Sequence, residues 1–149
     1  MKKILLILMF MANPTHADPK EENLQSAYLA GGCYWGLEDL IRKIPGVLDT
    51  KVGFSGGHIK NVSYKEVTKG DTGHAESIKI EFNSEVLSFK NLLFHFFTMH
   101  NPTTINQQGN DKGTQYRSSI FYTNEKQKNI AHQTINLVNK SKEWVNPVI

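Results

Sequence analysis

The sequence predicts an α/β fold: a two-layer sandwich with a ferredoxin-like split βαβ core and an added C-terminal helix. Three observations carry this. Alternating and helical apolar patterns succeed one another in the order β-α-β-β-α-β before a last amphipathic stretch. The 149 residues, 39% hydrophobic and 21% charged, suffice for one buried core and exclude wholesale disorder. No internal repeat, low-complexity tract or second domain interrupts them.

Taken in order, the Ser26–Ala30 run Ser-Ala-Tyr-Leu-Ala reads as a first strand. From Tyr34, Leu37, Leu40, Ile41 and Ile44 recur at helical spacing, and Pro45-Gly46 supplies a stop. Val47, Leu48, Thr50, Val52 and Phe54 alternate before a diglycine, which predicts a strand and then a loop. Residues 64–69 allow one or two helical turns ended by Gly70. Ile78, Ile80 and Phe82 alternate with Lys79 and Glu81 in a half-buried strand. Ser88 caps a helix with a wide apolar face of Phe89, Leu92, Leu93, Phe96 and Phe97. The loop over 101–117 is long enough to be functional. The run "SSIFYT" predicts a strand, and residues 124–142 a polar helix that turns Ile130, Ile135 and Val138 to the core.

The amino terminus carries Lys2 and Lys3, an apolar run Ile4–Met11, and Thr15-His16-Ala17 before Asp18. That is the pattern of a secretory signal peptide over 1–17, with a mature domain over 18–149. The run is too short to cross a hydrocarbon layer of about 30 Å as an uncleaved anchor, and no cysteine follows it closely enough for a lipoprotein. The expected location is therefore outside the cytoplasm, in a bacterial periplasm or secreted, with no stable membrane association once the signal is removed. The net charge of +3, from 17 basic and 14 acidic residues, drops to +1 without Lys2 and Lys3. So even a balance does not ask for a nucleic-acid partner, which would want a clustered basic face.

Cys33 is the sole cysteine. Exported proteins usually pair their cysteines, so an odd one points to a free reactive thiol or an intermolecular bond, with an inert buried thiol as the plain alternative. Cys33 falls where the first strand gives way to the first helix, and a helix amino terminus favours a thiolate. Gly31, Gly32 and Gly36 leave room for close backbone approach, while Tyr34 and Trp35 read as the wall of a small apolar pocket or as core. A papain-like protease is disfavoured because its His and Asn partners, about 130–150 residues downstream, fall past Ile149. Zinc is disfavoured because the six histidines show no paired spacing and one cysteine builds no structural site.

The segments "GGCYWGLE", "GFSGGHIKNVSYKEVTKGDTGHAESIKIEF" and "HNPTTINQQGNDKGTQYRSSIFY" together resemble the peptide methionine sulfoxide reductases of type A, over roughly residues 26–145. The resemblance implies a two-layer α/β fold and thiol-dependent reduction of peptidyl methionine S-sulfoxide. It implies Cys33 as the nucleophile on sulfur, Glu76 as proton donor to the departing oxygen, Tyr64 and Tyr116 as hydrogen-bond donors to that oxygen, and Asp111 as a second acidic site residue. Tyr34 and Trp35 would hold the substrate methyl group; Gly32 and His74 join the substrate-binding set, His74 by shaping the loop beside Glu76. The chemistry fits: a sulfoxide oxygen leaves poorly unless protonated, a carboxyl among apolar walls stays neutral, and phenols donate without adding charge.

The resemblance implies no metal or organic cofactor. The partners it implies are oxidised proteins and an external thiol reductant, whether a thioredoxin-like protein, a glutaredoxin system or a small thiol. Relatives often continue past the stretch matching "EWVNPVI" with a further strand and recycling cysteines, so either an external thiol resolves Cys33 or the sequence is a truncated one, and a missing final strand would leave an exposed sheet edge. Three positions depart from the family pattern. Asn101 replaces a usual aspartate, Gln107 a usual basic residue, and "NVSY" at 61–64 lacks a proline that would stiffen the loop of Tyr64. The rival readings are a catalytically weak binding module for oxidised Met and a thiol peroxide sensor.

Overall fold

The computed structural model describes residues 23–148, so the signal segment read over 1–17 lies outside the described residues. In chain order it contains β1 (Leu24–Gly31), α1 (Tyr34–Ile41), β2 (Val47–Ser55), α2 (Tyr64–Val67), β3 (Ala75–Asn83) and α3 (Phe89–Met99). A short hairpin follows, β4 (Gln107–Gln108) and β5 (Asp111–Lys112), then a 3-10 turn over Thr114–Tyr116, β6 (Ser118–Phe121) and α4 (Glu125–Ser141).

The four long strands form one antiparallel sheet in the order β2-β3-β1-β6. The α1 crossover thus joins β1 to β2 with β3 inserted between them, which is the split βαβ arrangement. Register brings Leu29 opposite both Ile78 on β3 and Ile120 on β6, so one row of apolar residues runs across the sheet. That row meets Leu37 and Ile41 of α1, Leu92, Leu93, Phe96 and Phe97 of α3, and Ala131 and Val138 of α4 in a single core. Full burial stabilises each such side chain by about 1.5–3 kcal/mol before conformational entropy is subtracted.

The α3 prediction holds residue by residue: Ser88 Oγ accepts the N–H of Asn91 at 3.2 Å, and the five named apolar residues are buried. Elsewhere the core is narrower than the pattern implied. Leu40, Leu48 and Val52 are exposed. β2 is an edge strand with a bulge between Val47 and Asp49, which throws Leu48 outward, and the short α1 reaches β2 at Thr50 and Phe54. On α4 the buried positions are Gln127, Ala131, Thr134 and Val138, with Ile130 and Ile135 only partly covered. Gln127 can be buried because its carboxamide accepts the N–H of Thr123 at 3.0 Å and donates to the Ser26 carbonyl at 2.8 Å. The 101–117 loop contains the β4–β5 hairpin and the 3-10 turn that patterning alone missed.

Candidate active site

Cys33 is exposed and occupies the N-cap position of α1, directly after the end of β1. The chain turns there because Gly32 adopts φ +97°, a conformation that L residues rarely tolerate. Gly31 is packed equally tightly: a Cβ built on it would lie 3.0 Å from the His100 ring and from Phe96. The imidazole under this turn is buried. His100 Nδ1 lies 2.9 Å from the Phe96 carbonyl and Nε2 lies 2.8 Å from Ser118 Oγ, so Nδ1 carries the proton and Nε2 accepts from the serine.

Glu76 stands near the start of β3, on the face toward the helices, with Phe54 of β2 opposite it. It is 2% exposed, and its Oε2 accepts the N–H of Tyr34, an otherwise unpaired donor of the first turn of α1, at 3.2 Å. Burial pushes its pKa up from the ordinary carboxylate value; the Tyr34 N–H opposes this, and the Asp111 charge adds to it. The neutral, proton-carrying form is thereby favoured.

Around these two groups lies an open cavity of about 520 Å³, lined by Cys33, Tyr34, Trp35, Tyr64, Glu76, Asp111 and Tyr116. Tyr34 is buried with its ring 6.0 Å from that of Phe54, whereas Trp35 is 73% exposed and forms a free-standing wall. Burial raises the phenol pKa values of Tyr116 and Tyr34; the charge of Glu76 acts in the same direction on both, and a hydrogen bond from Trp35 acts against it on Tyr34. The lining contains two carboxyls, three phenols and a thiol but no cation. Among the described residues, no group of three His, Cys, Asp or Glu side chains is arranged to hold a metal ion.

Seven of the nine residues predicted for the site thus share one cavity, and two stand outside its lining. Gly32 is buried beneath Gln108, so its role is in the turn and not in substrate contact. His74 donates through Nε2 to the Ile59 carbonyl at 2.7 Å and packs its ring on Gly57, bracing the loop ahead of Glu76. Arg117, which the motif "GTQYRS" contains without assigning a role, donates to Thr114 O at 2.8 Å and Gly73 O at 3.0 Å. It ties the turn of Tyr116 to the approach to Glu76.

The three departures are compensated locally. Asn101 Oδ1 accepts both the N–H and the hydroxyl of Thr103, at 3.0 and 2.7 Å, so the acceptor of a carboxylate survives in the amide. Gln107 Nε2 donates to the Gly109 carbonyl across the hairpin turn. Ser63 donates its N–H and O–H to Glu66, both at 2.7 Å, which pins the start of α2 and Tyr64 without a proline.

An exposed thiol at a helix start, beside a buried carboxyl whose neutral form is favoured and phenols lining the same space, defines the site of a thiol oxidoreductase of the α/β sandwich class. The family model described as peptide methionine sulfoxide reductase matches residues 25–149. The peptide methionine sulfoxide reductase MsrA 1 of Mesorhizobium japonicum is 48% identical over 125 residues, spanning 84% of this chain and 70% of that one. Among solved structures, reduced Mxr1 from Saccharomyces cerevisiae superposes with a TM-score of 0.78 at 36% identity, covering 89% of this chain and 76% of that one. Methionine sulfoxide reductase A of Corynebacterium diphtheriae gives 0.70 at 32%, covering 80% of this chain, which spans 59% of that longer protein. This chain belongs to the peptide methionine sulfoxide reductase family.

Proposed function

We propose that this chain reduces peptidyl methionine S-sulfoxide to methionine and so repairs oxidised proteins, with Cys33 as its nucleophile. The observation that carries the reading is the meeting of Cys33, Glu76, Tyr64 and Tyr116 on one cavity within the matched region. The Cys33 thiolate attacks the sulfoxide sulfur as Glu76 gives its proton to the sulfoxide oxygen, while the phenols of Tyr64 and Tyr116 donate to the negative charge growing there. Tyr34 and Trp35 hold the methyl group. The oxygen leaves methionine and ends on Cys33, giving a sulfenic acid: sulfur of the substrate is reduced by two electrons and the thiol is oxidised by two. Two external thiols then return Cys33 to the thiol, releasing water and a disulfide. A thioredoxin-like protein is the reductant this reading favours, since the yeast relative Mxr1 has also been solved in complex with Trx2.

The reaction would take place outside the cytoplasm. Lys2, Lys3 and the apolar run Ile4–Met11 support export, and amino-terminal sequencing of the exported protein is expected to begin at Asp18.

The experiment is mass spectrometry of a peptide bearing Met-S-sulfoxide, incubated with dithiothreitol and either this protein or Cys33→Ser. Loss of the oxygen, about 16 mass units, is expected with the parent protein alone. Binding of the peptide with no loss, even at stoichiometric protein, would instead support a binding module. Rapid reaction with peroxide and none with the sulfoxide would support a sensor.

A further inference from the structure

Gln108 lies outside the cavity lining, yet it touches the segments that bear two of the cavity's polar groups, Cys33 and Asp111. It stands on β4 directly opposite Asp111 on β5. Its side chain lies over Gly32, where a Cβ built on the glycine would come within 2.6 Å of Gln108 Cγ and 2.8 Å of its Cβ. The carboxamide is engaged at both ends by one residue: Oε1 accepts the N–H of Asn101 at 3.0 Å, and Nε2 donates to the Asn101 carbonyl at 3.1 Å. This side chain therefore pairs with backbone much as a neighbouring strand would. Asn101 follows His100, whose ring packs on Gly31. One glutamine thus joins the glycine before the nucleophile, the backbone leaving α3, and the hairpin that carries the second site carboxylate. Removing it leaves the part-buried Asn101 N–H without its acceptor, leaves the Asn101 carbonyl only the longer bond from Thr104 Oγ1 at 3.4 Å, and opens space above Gly32.

We propose that Gln108 is a positioning residue, which holds the Asp111 hairpin and the Gly32–Cys33 turn in fixed register so that the thiolate meets the sulfoxide in reactive geometry. This rests on the reaction assigned to the cavity above. Small displacements at a reacting centre are costly: a misplacement of about 1 Å lowers rate by roughly a hundred-fold. The effect belongs in kcat and not in KM, because the residue does not line the substrate cavity.

The test uses Gln108→Ala and Gln108→Glu, each compared with the parent in reduction of a Met-S-sulfoxide peptide with dithiothreitol. Gln108→Ala is expected to lower kcat roughly ten- to a hundred-fold with KM little changed. Gln108→Glu is expected to lose a similar factor at neutral pH, where the introduced carboxylate still accepts from the Asn101 N–H but has no proton to give the Asn101 carbonyl. As the pH falls toward the ordinary carboxyl range of about 4–5, that proton returns and the ratio of Gln108→Glu to parent rises. Cys33 from the α1 turn, Asp111 from β5 and His100 from the end of α3 are the titratable neighbours; both proteins share them, so they divide out of the ratio. Parental kcat in Gln108→Ala, or a ratio flat with pH, overturns the proposal. Amide hydrogen exchange gives a reading independent of turnover: residues 107–113 should exchange faster in Gln108→Ala while β3 stays as in the parent, and an unchanged hairpin likewise overturns it. A parent that reduces no sulfoxide overturns the reaction assigned to the cavity, whatever the exchange data show for the hairpin.

Discussion

The layer between sheet and helices and the wall of loops that presents Tyr64, Asp111 and Tyr116 are stabilised by different interactions. The layer is apolar burial: Phe82, Phe96, Leu92, Leu93, Ile78 and Ile80 are fully covered. The wall is a set of side chain-to-backbone hydrogen bonds: Thr104 to Gln107 O, Gln108 to Asn101, Thr114 to Gly70 O, and Arg117 to Gly73 O. Apolar burial scales with area and has no direction, so it holds elements together without fixing the last ångström. Hydrogen bonds do have direction, and a cavity that brings a thiol, a buried carboxyl and phenols together needs that. The comparison explains why chemistry lies on loops here without looseness following from it.

Four substitutions or titrations sharpen the contrast. The largest effect is expected at the site: Glu76→Gln should lower kcat by roughly two to four powers of ten, the range for loss of a general acid. The loss should be greatest at neutral and alkaline pH, where solvent protons are scarce, and an unchanged pH–rate profile would remove Glu76 from the acid role. Stability should move the other way. Because burial raises the pKa of Glu76 in the folded state, the unfolded chain ionises first as pH rises. The stability contributed by the neutral form is complete below about pH 4.3 and is lost as pH rises through the folded value. Denaturant titrations should therefore find Glu76→Gln gaining on the parent as pH rises above about 4.3, and a difference constant with pH would contradict the burial account.

In the core, Phe96→Ala should cost about 3–5 kcal/mol, read as a lower urea midpoint, while the protein that remains folded keeps its sulfoxide reductase activity within a small factor. A stability loss well under 1 kcal/mol would mean that the layer is not close-packed around α3. Gly32→Ala sits where the two regions meet. Its φ of +97° and the contact with Gln108 predict a loss of about 1–3 kcal/mol together with reduced turnover, so both readouts should fall. If only stability changed, the turn would be structural and nothing more.

The smallest effect concerns His100. Burial holds its imidazole below the usual range, against the opposing pull of the Phe96 carbonyl. The unfolded chain, titrating near 6.5, takes up the proton first, so this contribution is present above about pH 6.5 and is lost as pH falls below it. The parent should lose stability between pH 7 and 5 more steeply than His100→Gln, and identical slopes would show the imidazole to be solvated in the folded protein.

Much of this was readable from the order of residues, for reasons that differ from place to place. The α3 face was legible because Phe89, Leu92, Leu93, Phe96 and Phe97 repeat at helical period with a serine cap ahead, a signal that needs no tertiary information. The α4 face was legible only in part, because Gln127 and Thr134 are buried by virtue of bonds to Ser26 and Ile130, which no periodicity encodes. The exposed Leu48 escaped because a bulge shifts alternation by one residue. At the site, motif resemblance reached the residues that line the cavity and passed over Arg117, Gln108 and His100, which bond to the segments around it.

By itself the sequence determined the order of the four sheet strands and of the helices, the single thiol at a strand–helix junction, and the family, because these depend on local period, on the rarity of cysteine and on runs of neighbouring residues. Tertiary structure alone decided that Glu76 lies buried beside the first amide of α1, that this burial pushes its pKa up, and that Gln108 closes over Gly32. Those facts depend on residues 42 or more positions apart in the chain coming within hydrogen-bond or van der Waals reach. Desolvation and close contact arise only when the sheet and loops have packed.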